Sequence, residues 1–408
     1  MSDGAVAAQT AAEPDAPEPD GAPRIATLDI LRGIAILAIL FMNVSEMGAS
    51  MTANWSDIRH LGWSGSDQAV WWARTLIVEG TARALLEMLF GAGMLILTDR
   101  IAAASDSPFA VPLRYGWRNA VLWAFGMIHM LVLLWPGDIL HTYAIAALVA
   151  CAFRTLPTRA LLTLGLSYAA FTLAIGLTTH VPAAQRAAFA AADAAAVLRE
   201  DAFGHGPPHA WVAGQQRVAI DRLGSDEITF VWEAAATMLV GAALFRIGAL
   251  QGGWSRRRYA AMLAAGYGIG LPLRLWAGWE ATRFDNAAPV AWMWEDVARL
   301  ATTTGHLALV MLALGTPRGR RWLAPFAAAG RSALTLYVAQ TLLVSWLVFS
   351  PFGLGLYGRL DWTGMMALAL AADALLLWAS VLYLRRYRIA PVEWAWRSLV
   401  ERRRLPFR

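Results

Sequence analysis

The chain has 408 residues, of which 58% are apolar and only 15% charged, and it carries a formal net charge of +5. Soluble proteins of this size carry about 25% charged residues. The arginines here sit in short clusters between long apolar runs, which excludes the single basic face of a nucleic-acid binder and points to a polytopic membrane protein. All 34 basic residues are arginine, which reads as coding bias, and the lone cysteine, Cys151, excludes an internal disulfide or a cysteine metal cluster within one chain.

Residues 1–24 are rich in Ala, Pro, Asp, Glu and Gly and cannot bury enough apolar surface to order themselves, so they are predicted to form a disordered acidic tail. Without a basic start or a small-residue cleavage site, this tail does not read as a signal peptide. Apolar segments follow at 28–47, 80–98, 117–135, 138–153, 159–179, 227–249, 259–280, 294–315, 322–349 and 362–384. Most approach the ~20 residues that cross a bilayer as a helix. The expected fold is therefore all-α, a transmembrane helical bundle of about ten helices within residues 25–385. Segment 69–78, with Trp71 and Trp72, is too short to span and reads as interfacial. The Trp residues at 135, 254 and 362 suit aromatic belts at segment ends.

Counting arginine in alternate loops sets the orientation. One set holds Arg100, Arg114, Arg154, Arg159, the clusters Arg256–Arg258 and Arg318–Arg321, and a basic tail over residues 386–408. The opposite set offers little more than Arg59, Arg283 and Arg359 in its short loops. The positive-inside rule then predicts both termini in the cytoplasm of a bacterial inner (plasma) membrane, and the long loop 180–226 in the periplasm. That loop begins with an Ala-rich stretch and reads as an outer cap or as a mobile loop. A faint likeness between Leu89-Phe90-Gly91-Ala92-Gly93 and Met238-Leu239-Val240-Gly241-Ala242-Ala243 hints at two halves, although small residues at helix contacts produce such likeness by packing alone.

Ionisable residues inside apolar segments cost about 2.5–3.5 kcal/mol each on insertion scales, so they mark where function is concentrated. Segment one carries Asp29, Arg32, Asn43 and Glu46. Arg32 and Asn43 are eleven residues apart, on one helix face and about 16 Å apart along the axis. Arg32 suits an anionic cofactor group near the cytoplasmic entrance, or else snorkels to the interface. Arg83 and Glu87 form an i,i+4 pair that reads as a structural ion pair. His129, Asp138 and His141 flank the tight reversal at Pro136-Gly137 and are the best acid/base group in the chain, since a carboxylate can fix a histidine's tautomer. The alternative is a hydrogen-bonded packing histidine. Glu233, Arg274, His306, Arg331 and Asp373 add further buried charge, and Tyr337, Gln340 and Thr341 share a face. No Walker loop, no His-Glu-x-x-His and no paired-cysteine site occurs, and Gly266-Tyr267-Gly268-Ile269-Gly270 lies in an apolar helix, where its glycines serve packing.

Leu28-Asp29-Ile30-Leu31-Arg32-Gly33, Asn43, Glu79-Gly80 with Arg83, Leu89 to Gly93, His129, Gly137 to Leu140, Gly330 to Tyr337 with Gln340, and Pro391 to Arg397 together resemble the YeiB-like family of bacterial membrane proteins over about residues 25–400. Ala390 stands where that family usually has Gly. The family is distantly similar to membrane acyltransferases, including heparan-glucosaminide N-acetyltransferase and bacterial sugar O-acyltransferases. The resemblance implies transfer of an acyl group from cytoplasmic acetyl-coenzyme A or another acyl-coenzyme A to an envelope glycan or small periplasmic acceptor, with no metal. Those O-acyltransferases pair an Arg with a His in the first helix; here the second position is Asn43, which cannot act as a base. His129 with Asp138 and His141 would then serve as the catalytic group, with Arg32, Arg331, Asn43, Tyr337 and Gln340 at the cofactor. The alternatives are a secondary transporter using Asp373 and Glu87 as proton carriers, or an envelope assembly factor without chemistry.

Overall fold

Apolar runs free of internal breakers leave the backbone one way to satisfy its hydrogen bonds in a low-dielectric medium, and that is the helix. In a computed structural model that describes residues 26–178, 182–283 and 291–407, every expected segment is helical and no strand occurs among the described residues. The acidic tail predicted over 1–24 lies outside them. In chain order the helices are α1 (Ala26–Gly48), α2 (Ala53–Ser56), α3 (Gly65–Ile77), α4 (Thr81–Ala103), α5 (Ala110–Leu131) and α6 (Leu140–Ala152). Next come α7 (Thr158–Thr178), α8 (Ala183–Gly204), α9 (Pro208–Ser225), α10 (Glu227–Arg246), α11 (Arg256–Ala281) and α12 (Ala291–Leu314). The chain ends with α13 (Pro317–Arg331), α14 (Ala333–Gln340) continued by a π-helical stretch Thr341–Phe349, α15 (Trp362–Leu384) and α16 (Pro391–Val400).

Six of the described helical stretches are long and apolar enough to cross a membrane, or seven if the bent pair α13 and α14 counts as one span. That is fewer than the ten expected crossings. The difference has identifiable causes: α6 has 13 residues, about 20 Å of helix, and α11 is diluted by its glycines, Pro272 and Arg274. Segment 322–349 is not one straight helix either, because α13 and α14 meet at 79°. The break is built by Glu393 of α16, which accepts the backbone N–H of Leu334 at 2.6 Å and of Thr335 at 3.1 Å and so caps the start of α14.

The core joins α4 to α10 and α1 to α13, with α11 on α12. A Cβ on Gly91 would lie 1.8 Å from the Met238 carbonyl oxygen, and one on Gly241 2.1 Å from that of Met88. The two similar sequence stretches thus face each other across one crossing, and close backbone approach accounts for their likeness. Gly266 and Gly270 likewise pack against α12. Two expectations about the segment ends change. Trp71 is buried rather than interfacial, and Trp135 and Trp362 are fully buried rather than belted; Trp362 donates to the Ile58 carbonyl at 2.8 Å. The described part of loop 180–226 is the hairpin α8–α9, fastened as a cap by Glu200, which accepts from Ser50 Oγ, Thr52 Oγ1 and Thr52 N at 2.6, 2.6 and 3.0 Å.

Candidate functional site

Pro136-Gly137 turns the chain between α5 and α6 and sets Asp138 just before α6, where its Oδ2 accepts the N–H groups of Leu140 (2.9 Å) and His141 (3.1 Å). The carboxylate therefore serves as the helix cap and is fixed by it. The same carboxylate gathers both histidines: Oδ1 lies 2.7 Å from His129 Nδ1 and Oδ2 lies 2.8 Å from His141 Nδ1. Gly126 permits this approach, since a Cβ there would come within 2.3 Å of the His141 nitrogen and 2.8 Å of Asp138 Oδ2.

The far side of each ring decides its protonation. His141 Nε2 lies 2.9 Å from Glu227 Oε2, which also accepts from Thr142 Oγ1 at 3.0 Å. His141 thus lies between two carboxylates and can donate from both ring nitrogens. His129 has one carboxylate, at Nδ1, and its Nε2 lies 2.9 Å from Thr341 Oγ1; with the ring proton on Nδ1, Nε2 accepts from that hydroxyl. Asp138, His129, His141 and Thr341 are all at most 5% exposed. The three expected acid/base residues are thus brought together, and their rings differ in what faces them: a hydroxyl at His129 Nε2 and a second carboxylate at His141 Nε2.

On the other side of Tyr337 lies a cavity of about 1260 Å³ among α1, α4, α5, α14 and α16. Its mouth holds nine arginines, among them Arg32, Arg100, Arg114, Arg118 and Arg331, against the carboxylates of Asp29, Glu393 and Glu401. Its depth is apolar, with Leu86, Leu89, Phe90, Met94, Leu122 and Ile139, and ends at Tyr143 and Tyr337. From Arg100 to Leu86 along α4 is about 21 Å. The Tyr337 ring centroid stands 4.8 Å from that of His129, and its hydroxyl bonds the Gly137 carbonyl (3.4 Å) and the Ile139 N–H (3.3 Å). The basic tail expected over 386–408 is not loose in its described part: α16 lies beside α5, with Arg118 stacked 4.2 Å from the Trp396 ring, and forms one wall of the mouth.

Of the expected cofactor residues, Arg32, Arg331 and Tyr337 line this cavity, whereas Asn43 and Gln340 do not. Arg32 is held by Asp29 at 2.9 Å and reaches the Gly330 carbonyl at 3.4 Å. Gln340 instead spans the Ile36 carbonyl (3.0 Å) and Asp373 Oδ1 (3.3 Å), which supplies the partner that Asp373 needs in the last long helix. Asn43 lies on α1 about 16 Å beyond Arg32, because eleven residues of helix rise carry it past the cavity floor. The Arg83–Glu87 pair is looser than expected at 3.7 Å and belongs to a larger network. Arg83 binds Glu233 at 2.6 Å, and Arg299 binds Glu87, Glu233 and Asp296 at 3.0, 2.8 and 3.2 Å. Arg299, Glu227 and the arginines of α5 were missed as site residues. Their signal was present, since Arg299 is a charge set deep in an apolar segment and so needs a partner.

The chain is similar to known proteins along nearly its whole length. The family described as "Protein of unknown function (DUF418)" matches residues 244–403. The chain is 29% identical over 397 residues to the uncharacterized protein YeiB of Escherichia coli K12, covering 93% of this chain and 97% of that one. It is 28% identical over 408 residues to the uncharacterized protein YxaH of Bacillus subtilis 168, covering 92% and 94%. A third relative, an uncharacterized 39.9 kDa protein from the amylase 3′ region of Bacillus acidopullulyticus, is 24% identical over 391 residues, covering 94% and 95%. With several apolar helices long enough to cross a bilayer, the chain is a multi-pass membrane protein, similar along nearly its whole length to the uncharacterized protein YeiB.

Proposed function

We propose that the protein is a bacterial inner-membrane acyltransferase, which takes an acyl group from acyl-coenzyme A at its arginine-rich, cytoplasmic end and passes it to a glycan or small acceptor on the periplasmic side. The observation that carries this reading is the cavity with an arginine mouth and an apolar depth that ends one aromatic ring from His129. Its volume exceeds the roughly 300–1000 Å³ of ordinary small-molecule sites. Such a shape suits a ligand with a polyanionic head and a long, narrow arm: guanidinium forks match phosphate oxygens, and the ~21 Å depth takes an extended arm. His129, with its Nδ1 proton held by Asp138, is the group able to accept a proton from an attacking hydroxyl or amine.

A secondary transporter is the second reading, favoured by the 79° break between α13 and α14 beside the cavity, since broken helices form the binding sites of many transporters. Calorimetric titration of acetyl-coenzyme A and coenzyme A into the detergent-purified protein separates the two. The acyltransferase reading expects binding that Arg32→Ala and Arg118→Ala weaken severely and His129→Ala leaves intact. Absence of binding by any acyl-coenzyme A would sink it and bring the transporter forward.

A further inference from the structure

The hydroxyl of Thr341 has no part in the function argued so far, yet it meets the ring of His129. Several helical threonines turn their hydroxyls back onto the carbonyl one turn earlier, Thr98 on Met94, Thr237 on Glu233, Thr302 on Ala298 and Thr303 on Arg299, at 2.7–3.0 Å, and Thr142 and Thr335 give theirs to carboxylates. Thr341 does neither. Its Oγ1 is directed at the one bare ring nitrogen in the cluster, His129 Nε2, whose other nitrogen is fixed by Asp138. This is the hydroxyl, base and carboxylate order of an activated nucleophile, recognised by geometry rather than by sequence position. Thr341 also opens the π-helical stretch Thr341–Phe349, a rare register that is frequent at functional sites. It lies about one turn beyond Tyr337, the residue that closes the cavity floor.

We propose that Thr341 is the acyl-accepting nucleophile, so that transfer runs through an acyl-threonine ester; this rests on the acyltransferase reading above. In the first half-reaction Thr341 Oγ attacks the thioester carbonyl carbon and gives its proton to His129 Nε2. The carbon–sulfur bond breaks, and the departing thiolate takes that proton from His129. In the second half-reaction His129 removes a proton from the acceptor's hydroxyl or amine, which attacks the ester carbonyl. The bond to Thr341 Oγ breaks, and the proton returns to that oxygen. No oxidant, reductant or metal enters either balance. Asp138 positions His129 throughout, and His141 with Glu227 positions Asp138. A covalent intermediate also explains why the nucleophile is buried between the arginine mouth and the capped outer end: the two substrates need never meet.

The test is to incubate the purified full chain with acetyl-coenzyme A in the absence of any acceptor, follow release of the free thiol, and map the adduct by peptide mass spectrometry. The expected result is a burst of about one equivalent of thiol per chain and an alkali-labile acetyl ester on Thr341. Thr341→Ser should keep both. Thr341→Val should lose both while binding acetyl-coenzyme A with unchanged affinity, which separates loss of the nucleophile from loss of the fold. Bound acetyl-coenzyme A without burst or adduct would overturn the nucleophile and leave the acyltransferase reading standing, with direct transfer in its place. An adduct on Cys151 or His129 instead would overturn it equally, and a chain that binds no acyl-coenzyme A would overturn both.

Discussion

Asp138→Asn offers a sharp test of how the buried cluster works, because four donors converge on this carboxylate and the amide can satisfy only part of them. The crowded side, where Oδ2 meets Leu140 N, His141 N and His141 Nδ1, demands an oxygen. The amide nitrogen must then face His129 Nδ1, at a distance of 2.7 Å in the wild type. Two donors cannot meet there, so His129 must move its proton from Nδ1 to Nε2 and donate to Thr341. The lone pair that makes it a base is lost without displacement of a heavy atom. All four bonds lose their charged acceptor, at about 1 kcal/mol each, the difference between a hydrogen bond to a charged group and a neutral one. Turnover should fall about 10⁴-fold, the order found when the acid behind a catalytic histidine is amidated in serine proteases.

The tautomer itself is measurable. Long-range ¹⁵N–¹H correlation on histidine-labelled protein should show His129 protonated at Nδ1 in the wild type and at Nε2 in Asp138→Asn. His141 should carry both protons in the wild type and stay paired with Glu227 in the variant. If His129 keeps its Nδ1 proton in the variant, or if turnover falls by less than about tenfold, equal to roughly 1.4 kcal/mol of barrier, then the carboxylate does not govern the base.

Two further outcomes follow from charges outside this cluster. Arg299→Met removes the cation shared by Glu87, Glu233 and Asp296 and leaves buried carboxylates uncompensated. It should cost about 3–5 kcal/mol in unfolding from mixed micelles, whereas Arg299→Met combined with Glu87→Gln, which keeps the Arg83–Glu233 pair, should recover much of that loss; equal costs for the single and the double variant would refute a shared network. Burial pushes the Glu393 carboxyl above its ordinary value, against the bonds from Thr335 that pull it down. The folded chain thus holds this proton more tightly than the unfolded one. Its stabilising share is present below the unfolded value of about 4.3 and is lost as pH rises through the folded value. Thermal midpoints of the wild type should fall more steeply than those of Glu393→Gln from acid to neutral pH, and parallel curves would count against this.

Helix positions were legible in the sequence because each apolar run is closed to any other hydrogen-bonded state in lipid. Which runs are spans was less so. Segment 322–349 contains no proline or glycine pair at its 79° bend; the bend comes from Glu393, about sixty residues later in the chain, which replaces the helical partners of Leu334 and Thr335. A cap supplied by a distant element leaves no local trace. The burial of Trp135 and Trp362 was hidden for the same reason, since a tryptophan at a segment end reads alike whether it faces headgroups or another helix.

Within the site, what could be read were the residues joined by short sequence separation. His129, Asp138 and His141 lie within one turn–helix unit, so their convergence follows from the reversal at Pro136-Gly137 and from the cap at Asp138. Thr341 and Glu227 meet the same rings from 212 and 86 residues away, and tertiary packing alone brings them there. These distant partners decide the chemistry. Without Glu227, His141 and His129 would be equivalent neighbours of one carboxylate, and either nitrogen could serve as base. With it, His141 lies between two carboxylates, while His129 has one carboxylate and faces a hydroxyl. The three residues and their grouping are legible in the sequence, but the asymmetry between the two rings comes from two contacts that no local spacing encodes.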